Sequence, residues 1–327
     1  MKTSNLPPLE QYPRDSETED EFKIRLEELQ GMLLKNLKSN TERTTDVQFK
    51  NVVYTIPDNN VSIEQRKRLA SSIIMAGMTP TAFVSENTAA TVFYALNNHS
   101  LQPDINENIL IINIGTLGVK VNVMNIQNVR EDPKNENSTI YPKVTKLYDK
   151  YFSEFNGNQM DYCFMNYTLN KHHDKQNENL LSDIDFVRFF KLFNIARKPK
   201  EILSINKSYQ VKLDNFFEHL PLSAKVVKAE YEQTCESQME TLKQIFAQVK
   251  TEFKEKQLKF DKIEVIGGVV RMPKVRDLIQ QEFELQPASH INGDDGPCQG
   301  AAFMAANYSA GIKTKRIQVA ESANYNV

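Results

Sequence analysis

A chain of 327 residues, 40% hydrophobic and 25% charged, is long enough to bury two lobes or domains. Its formal charge of −2 leaves no electrostatic footprint for general nucleic-acid binding, and no apolar run approaches the ~20 residues of a membrane span. The first residues lack the apolar core of a signal peptide, and Cys163, Cys235 and Cys298 stand in no paired spacing, which argues against a disulfide framework or a zinc site.

Residues 1–21 read as a polar lead-in. Ser16 and Glu19 have capping-box spacing ahead of a helix with the apolar stripe Phe22, Leu26, Leu29, Leu33 and Leu37. Asn51 to Ile56 is a predicted strand ended by Pro57. Ser62 and Gln65 cap a second helix, which Gly77 closes. Thr81 to Ser85 is a strand and Asn87 to Leu96 a short helix, a β-α-β-α order that predicts a partly parallel sheet. Ile109 to Ile114, the turn from Gly115 to Gly118, and alternating Val119, Val121 and Val123 form a glycine-turn hairpin. That turn has the N–H groups to cradle a phosphate, or is only a turn.

Residues 127–138 read as charged loop, Val144 to Phe155 is ambiguous, and Asn158 to Lys171 is helical. A helix over Asp185 to Asn206 carries Arg197, Lys198 and Lys200, with Phe189, Phe190 and Phe193 read as core. Tyr209 to Phe217 is a strand with a bend near its end, and Lys228 to Glu255 one long helix. Lys262 to Ile266 is a short buried strand followed by Gly267 and Gly268, which permit positive φ and close ligand approach. Met272 and Pro273 then open a helix with Val275, Leu278, Ile279 and Phe283 on one side. Strand, glycine turn and helix N-terminus together make a nucleotide-cradling unit, with Arg271 able to stack on a purine; a plain strand-to-helix turn is the competing reading. Ile291 to Asp294 is a turn, Gly300 to Ala306 a small-residue helix suited to close packing, and the tail from Lys313 holds one last strand. His172, His173 and Asp174 with Cys163 suggest a metal, but the stretch reads as solvated surface.

The segment Ile266-Gly-Gly-Val-Val-Arg-Met-Pro-Lys-Val275 resembles the adenosine motif of the seventy-kilodalton heat-shock chaperone family. Val52 to Pro57, Gln65 to Lys67, Ala76 to Met78, Ser85 to Ala90, Ile112 to Gly115, Lys200 to Asn206, Glu230 to Cys235, and Ile291 to Asp294 with Gly300 follow in that family's order. The wording of Glu86 to Ala89 and Leu203 to Asn206 is similar to the large, hypoxia-upregulated branch of the endoplasmic reticulum.

The resemblance implies an actin-like ATPase fold of two ribonuclease-H-like lobes: a partial lobe I over 22–105, a complete lobe II over 106–312, and a tail over 313–327. It implies ATP or ADP in the cleft. Gly267, Gly268 and Arg271 would contact the adenosine, and Lys200, Ser204 and Asp294 would border it. Gly115 and Gly157 would lie by the phosphates, and Pro57 would be the hinge between lobes. Glu86 would orient metal-bound water, although an acidic residue opening a helix is favoured by the dipole alone. Several positions depart from the family. Asn113 replaces an aspartate at the catalytic position, Leu117 a small residue in the turn, and Lys120 a second aspartate, while Arg197 and Glu201 are charge-reversed. Asn113 cannot supply the charge that holds a hard dication, so a magnesium site is weakened and hydrolysis is expected to be weak or lost.

By the resemblance, residues 1–25 are expected to be too short and polar to supply the family's first phosphate hairpin and catalytic lysine, and the chain is expected to hold most of an ATPase domain without the peptide-binding domain. The expected partners are unfolded client proteins or another heat-shock chaperone whose nucleotide exchange this chain promotes, with no nucleic acid and no membrane. A sugar kinase of the same fold is the third reading. Residence in the endoplasmic reticulum rests on the resemblance; the chain otherwise reads as cytoplasmic.

Overall fold

The computed structural model describes residues 24–57, 61–98, 101–102, 105–174, 179–217, 220–309, 311–312 and 314–320. Two compact units divide the chain, one of residues 1–50 and 64–79, the other of residues 51–63 and 80–327.

The first unit holds helix α1 (Leu26–Thr45) and nearly all of α2 (Ile63–Met75). The predicted Ser16–Glu19 cap lies outside the described residues. The observed start of α1 has Glu28 accepting from the Arg25 backbone N–H at 3.0 Å, and α2 opens directly after Ser62. The leucine stripe does not face α2: Leu26, Leu29, Leu33 and Leu37 are all exposed. The helices instead meet along the Glu27, Gln30 and Lys38 side of α1. There Glu27 reaches Arg68, Gln30 accepts from the Ser72 hydroxyl at 3.3 Å, and Lys38 donates to the Gly77 carbonyl at 3.0 Å.

The second unit is built on a five-stranded sheet in the order β8-β3-β4-β5-β9. Its strands are β3 (Asn106–Ile114), β4 (Val119–Arg130), β5 (Ile140–Phe152), β8 (Lys262–Ile266) and β9 (Gln318–Ala320). β3, β4 and β5 form an antiparallel meander, while β8 joins β3 and β9 joins β5 in parallel. The hairpin falls where the alternation places it. The stretch read as loop from 127 is still β4 up to Arg130, paired residue by residue with β5. β1 (Asn51–Ile56) pairs with β2 (Thr79–Ser85), and β6 (Ser208–Phe217) with β7 (Leu220–Val227) as an antiparallel pair. β7 escaped the sequence reading, although Leu222, Ala224 and Val226 alternate inward. The predicted bend in β6 is a register shift between Leu213 and Phe217, with Asn215 at φ 51°.

Both faces of the central sheet are covered, which is why the run Ile109 to Ile112 of β3 is apolar on both sides. Leu110, Ile112, Ile114, Val119, Val121 and Val123 point into the larger core. Around that core lie α4 (Gly157–His172), α5 (Phe186–Ile205), α6 (Lys228–Thr234), α7 (Glu236–Glu255) and α8 (Pro273–Phe283). Ile109, Ile111, Met124 and Ile126 face the other way, against α3 (Glu86–Asn97). α9 (Gly296–Tyr308) packs on α3 so closely that a Cβ at Gly300 would overlap the Ala89 carbonyl. Phe189 and Phe193 pack on the core as expected, but Phe190 is exposed, because α5 turns only one side inward.

The single long helix predicted over 228–255 is two helices, broken at Cys235. Cys235 forms a disulfide with Cys163 of α4, with the Cα atoms 6.0 Å apart. The expectation against a disulfide is thereby corrected. Seventy-two residues separate the partners, so no local spacing announces the pair, and only the packing of α4 against the α6–α7 junction brings them together. With its sulfur in the bond, Cys163 is unavailable to the neighbouring histidines. His172 instead stacks on Phe217, and among the described residues no cluster of three His, Cys, Asp or Glu side chains could hold a metal.

Candidate functional site

Chain turns at the ends of β3 and β8 and the start of α4 converge on one cleft of about 310 Å³. Gly115 and Thr116 come from the β3–β4 turn, and Gly157, Met160 and Asp161 from the first turns of α4. Arg197, Lys200, Glu201 and Ser204 come from α5, and Gly268, Val269, Arg271 and Met272 from the segment after β8. Asp294 completes the wall. Seven residues singled out in the sequence thus meet in one place: Gly115, Gly157, Lys200, Ser204, Gly268, Arg271 and Asp294.

Close backbone approach shapes the floor. The Gly157 N–H donates to the Gly115 carbonyl at 2.9 Å, and a Cβ on Gly157 would sit 3.2 Å from that oxygen. α4 begins at this point with a complete cap, Asn156 Oδ1 accepting from the Gln159 N–H at 3.0 Å. Its N-terminal dipole therefore faces the turn. Gly267 does not line the cleft. At φ +93° it lets β8 end against β3, where a Cβ would overlap the Ile114 carbonyl and lie 2.9 Å from Asn113 Oδ1. Only the first of the two glycines needs positive φ; Gly268 sits at φ −67° in ordinary helical space, with nothing near the position of a Cβ.

Every cation lining the cleft is already paired with a carboxylate lining it. Lys200 contacts Asp161, Arg197 bonds Glu201 at 2.9 Å, and Arg271 bonds Asp294 at 2.6 Å. The reversed Arg197–Glu201 pair thus still bridges. The Lys200 and Asp161 side chains are 17% and 18% exposed, whereas Arg271 and Asp294 are largely open to solvent. Burial pushes the Lys200 ammonium down to about 8, against the opposing pull of Glu201. Asp161 was missed in the sequence; one turn after Gly157 on the same helical side, its i, i+4 spacing was the available signal.

Glu86, Asn113 and Pro57 lie outside the cleft lining. Pro57 is exposed directly after β1. Glu86 opens α3, and its carboxylate accepts from Lys120 Nζ at 2.5 Å. Asn113, paired across the hairpin with Lys120, donates from Nδ2 to Asn87 Oδ1 at 2.9 Å. Asn87 in turn donates to Asn122, which donates to Asp149 at 2.9 Å, and Asp149 is ion-paired with Lys146 at 3.2 Å.

Glycine turns and a helix N-terminus, walled by three cation–carboxylate pairs, thus form one concave site. The chain belongs to the Hsp70 protein family, whose model matches residues 14–322. The ATPase domain of that family is actin-like, consistent with the mixed α/β architecture here, and the family binds ATP or ADP with magnesium. Among curated proteins the chain is similar to hypoxia up-regulated protein 1 of Danio rerio, at 25% identity over 94% of this chain and 31% of that protein. It is similar to heat shock 70 kDa protein 4L of Homo sapiens at 22% identity, over 94% of this chain and 35% of the relative. A heat shock 70 kDa protein of Neurospora crassa is 23% identical over 88% of this chain and 42% of its own length. The chain therefore spans less than half the length of these relatives.

The family's magnesium does not fit the residues present. A hard dication needs anionic oxygens. The Glu86 carboxylate is engaged by an ammonium, Asn113 presents a neutral amide engaged with Asn87, and Asp149 is engaged by Lys146.

Proposed function

We propose that this chain is an ATP-binding domain of a heat-shock-type chaperone assisting protein folding, with weak or lost hydrolysis. The observation that carries the reading is the gathering of Lys200, Ser204, Gly268, Arg271 and Asp294 in one cleft with the turns at Gly115 and Gly157. Arg271 and the α5 side chains form the adenosine end, and the glycine turn with the α4 N-terminus forms the phosphate end. Slow or absent turnover follows from the donor set, in which Glu86 is bound by Lys120 and Asn113 carries no charge.

A second reading, a non-catalytic partner that opens another chaperone for nucleotide exchange, is favoured by the cleft's own pairing. With each lining cation neutralised by a lining carboxylate, the cleft holds its charge balance without ligand. Residence in an oxidising compartment, the endoplasmic reticulum lumen, is supported by the Cys163–Cys235 disulfide and by the similarity to hypoxia up-regulated protein 1.

Calorimetric titration with ATP and ADP tests the reading. Heat of binding without measurable ATP turnover is the expected result. Turnover equal to that of an intact family member would sink the claim of impaired hydrolysis, and no binding of either nucleotide would sink the site. Accelerated ADP release from a full-length partner chaperone would select the second reading.

A further inference from the structure

Beneath the N-terminus of α3 lies a polar layer that the cleft lining does not include. Lys120 and Asn122 of β4 and Asn113 of β3 carry it on the face shared with Ile109 and Met124, and it is closed by Glu86, Asn87, Lys146 and Asp149. Asn113, Asn122 and Lys120 are buried residues. A buried ammonium persists only when a partner compensates its charge, and Glu86 does so at 2.5 Å, with the Lys120 side chain 10% exposed and that of Glu86 35%. Lys146 with Asp149 forms the second pair, at 3.2 Å. The four ionisable side chains sum to zero charge with no added ion.

This layer borders the phosphate end of the cleft. Lys120 and Asn113 are cross-strand partners two residues from Gly118 and Gly115, and Asn113 Oδ1 abuts the Gly267 turn that leads into Gly268. An ammonium paired with Glu86 is therefore fixed in the protein beside the turn at Gly115 to Gly118. We infer that the Lys120 ammonium is this chain's own cation beside the phosphate turn, with Glu86 as its anchor, and that adenine nucleotide is bound without magnesium. The inference rests on the cleft being a nucleotide site. Lysine suits the role because it is a compact point charge on a long stem, with three donors that Glu86 alone does not exhaust.

Two measurements on the whole chain separate this inference from the reading beneath it. The first is ADP calorimetry in excess magnesium and in EDTA. Affinities equal within about twofold are expected, whereas tightening by magnesium of about tenfold or more would overturn the inference while leaving the nucleotide site standing. The second uses no nucleotide: Mn²⁺ is titrated and followed by electron paramagnetic resonance. The unaltered chain should leave the ion free, and Lys120→Asp, which places a second carboxylate beside Glu86, should gain a bound signal. Specific Mn²⁺ binding by the unaltered chain that Glu86→Gln abolishes would overturn the inference even if ADP did not bind. Should Lys120→Asp fail to fold, the two arms on the unaltered chain still decide the matter.

Discussion

Breaking the Cys163–Cys235 bond is the perturbation whose cost follows most directly from the structure. The partners are 72 residues apart, so the bond closes a long loop in the unfolded chain. Loop-closure entropy for that length corresponds to about 4.4 kcal/mol at 25 °C, lost on reduction or in Cys163→Ser. The same bond ties α4, whose first turn floors the cleft, to the junction of α6 and α7, so loosening it should also weaken ligand binding. Because the chain has no tryptophan, unfolding in urea is best followed by far-ultraviolet circular dichroism, with and without reductant. Thiol titration of the denatured, unreduced chain should find one free group, Cys298, and three after reduction. Unfolding curves that coincide in the two conditions, with the thiol counts confirming reduction, would refute the reasoning. Three free thiols before reduction would remove the bond itself.

Arg271→Ala should weaken adenine-nucleotide binding by about 1–3 kcal/mol through lost stacking and hydrogen bonding, and unchanged affinity by calorimetry would take Arg271 out of the site. Lys200 titrates near 8, below its ordinary 10.5, so its charge is lost as pH rises through that value. ADP affinity should accordingly fall by up to about tenfold between pH 7 and 9 if the charged form alone attracts the ligand, and Lys200→Met should flatten the profile. The sign for stability is opposite: between about 8 and 10.5 the unfolded chain holds more protons, so this group's contribution rises with pH. Gly267→Ala places a Cβ against the Ile114 carbonyl at a φ of +93°, and should cost about 3 kcal/mol or more, read as a lowered unfolding midpoint. A midpoint equal to that of the unaltered chain would show that the β8 turn relaxes freely.

What could be read from the sequence was local. The strand over 262–266, the proline-opened helix at Pro273 and the hairpin around Gly115 each follow from neighbours a few residues apart, and the structure reproduces them. Resemblance in ordered motifs added the family and singled out seven residues that line one cleft. Tertiary structure decided everything that depends on which distant segments meet. Lys120 and Glu86 are 34 residues apart, Lys200 and Asp161 39, and the two bonded cysteines 72; no periodicity links them. The same holds for the leucines of α1, whose spacing marks a helix but not the side that faces α2. Periodicity records how a segment folds on itself. Whether a charge is neutralised, a sulfur bonded or an apolar stripe covered is fixed by the register and packing of the segments that come to lie against it.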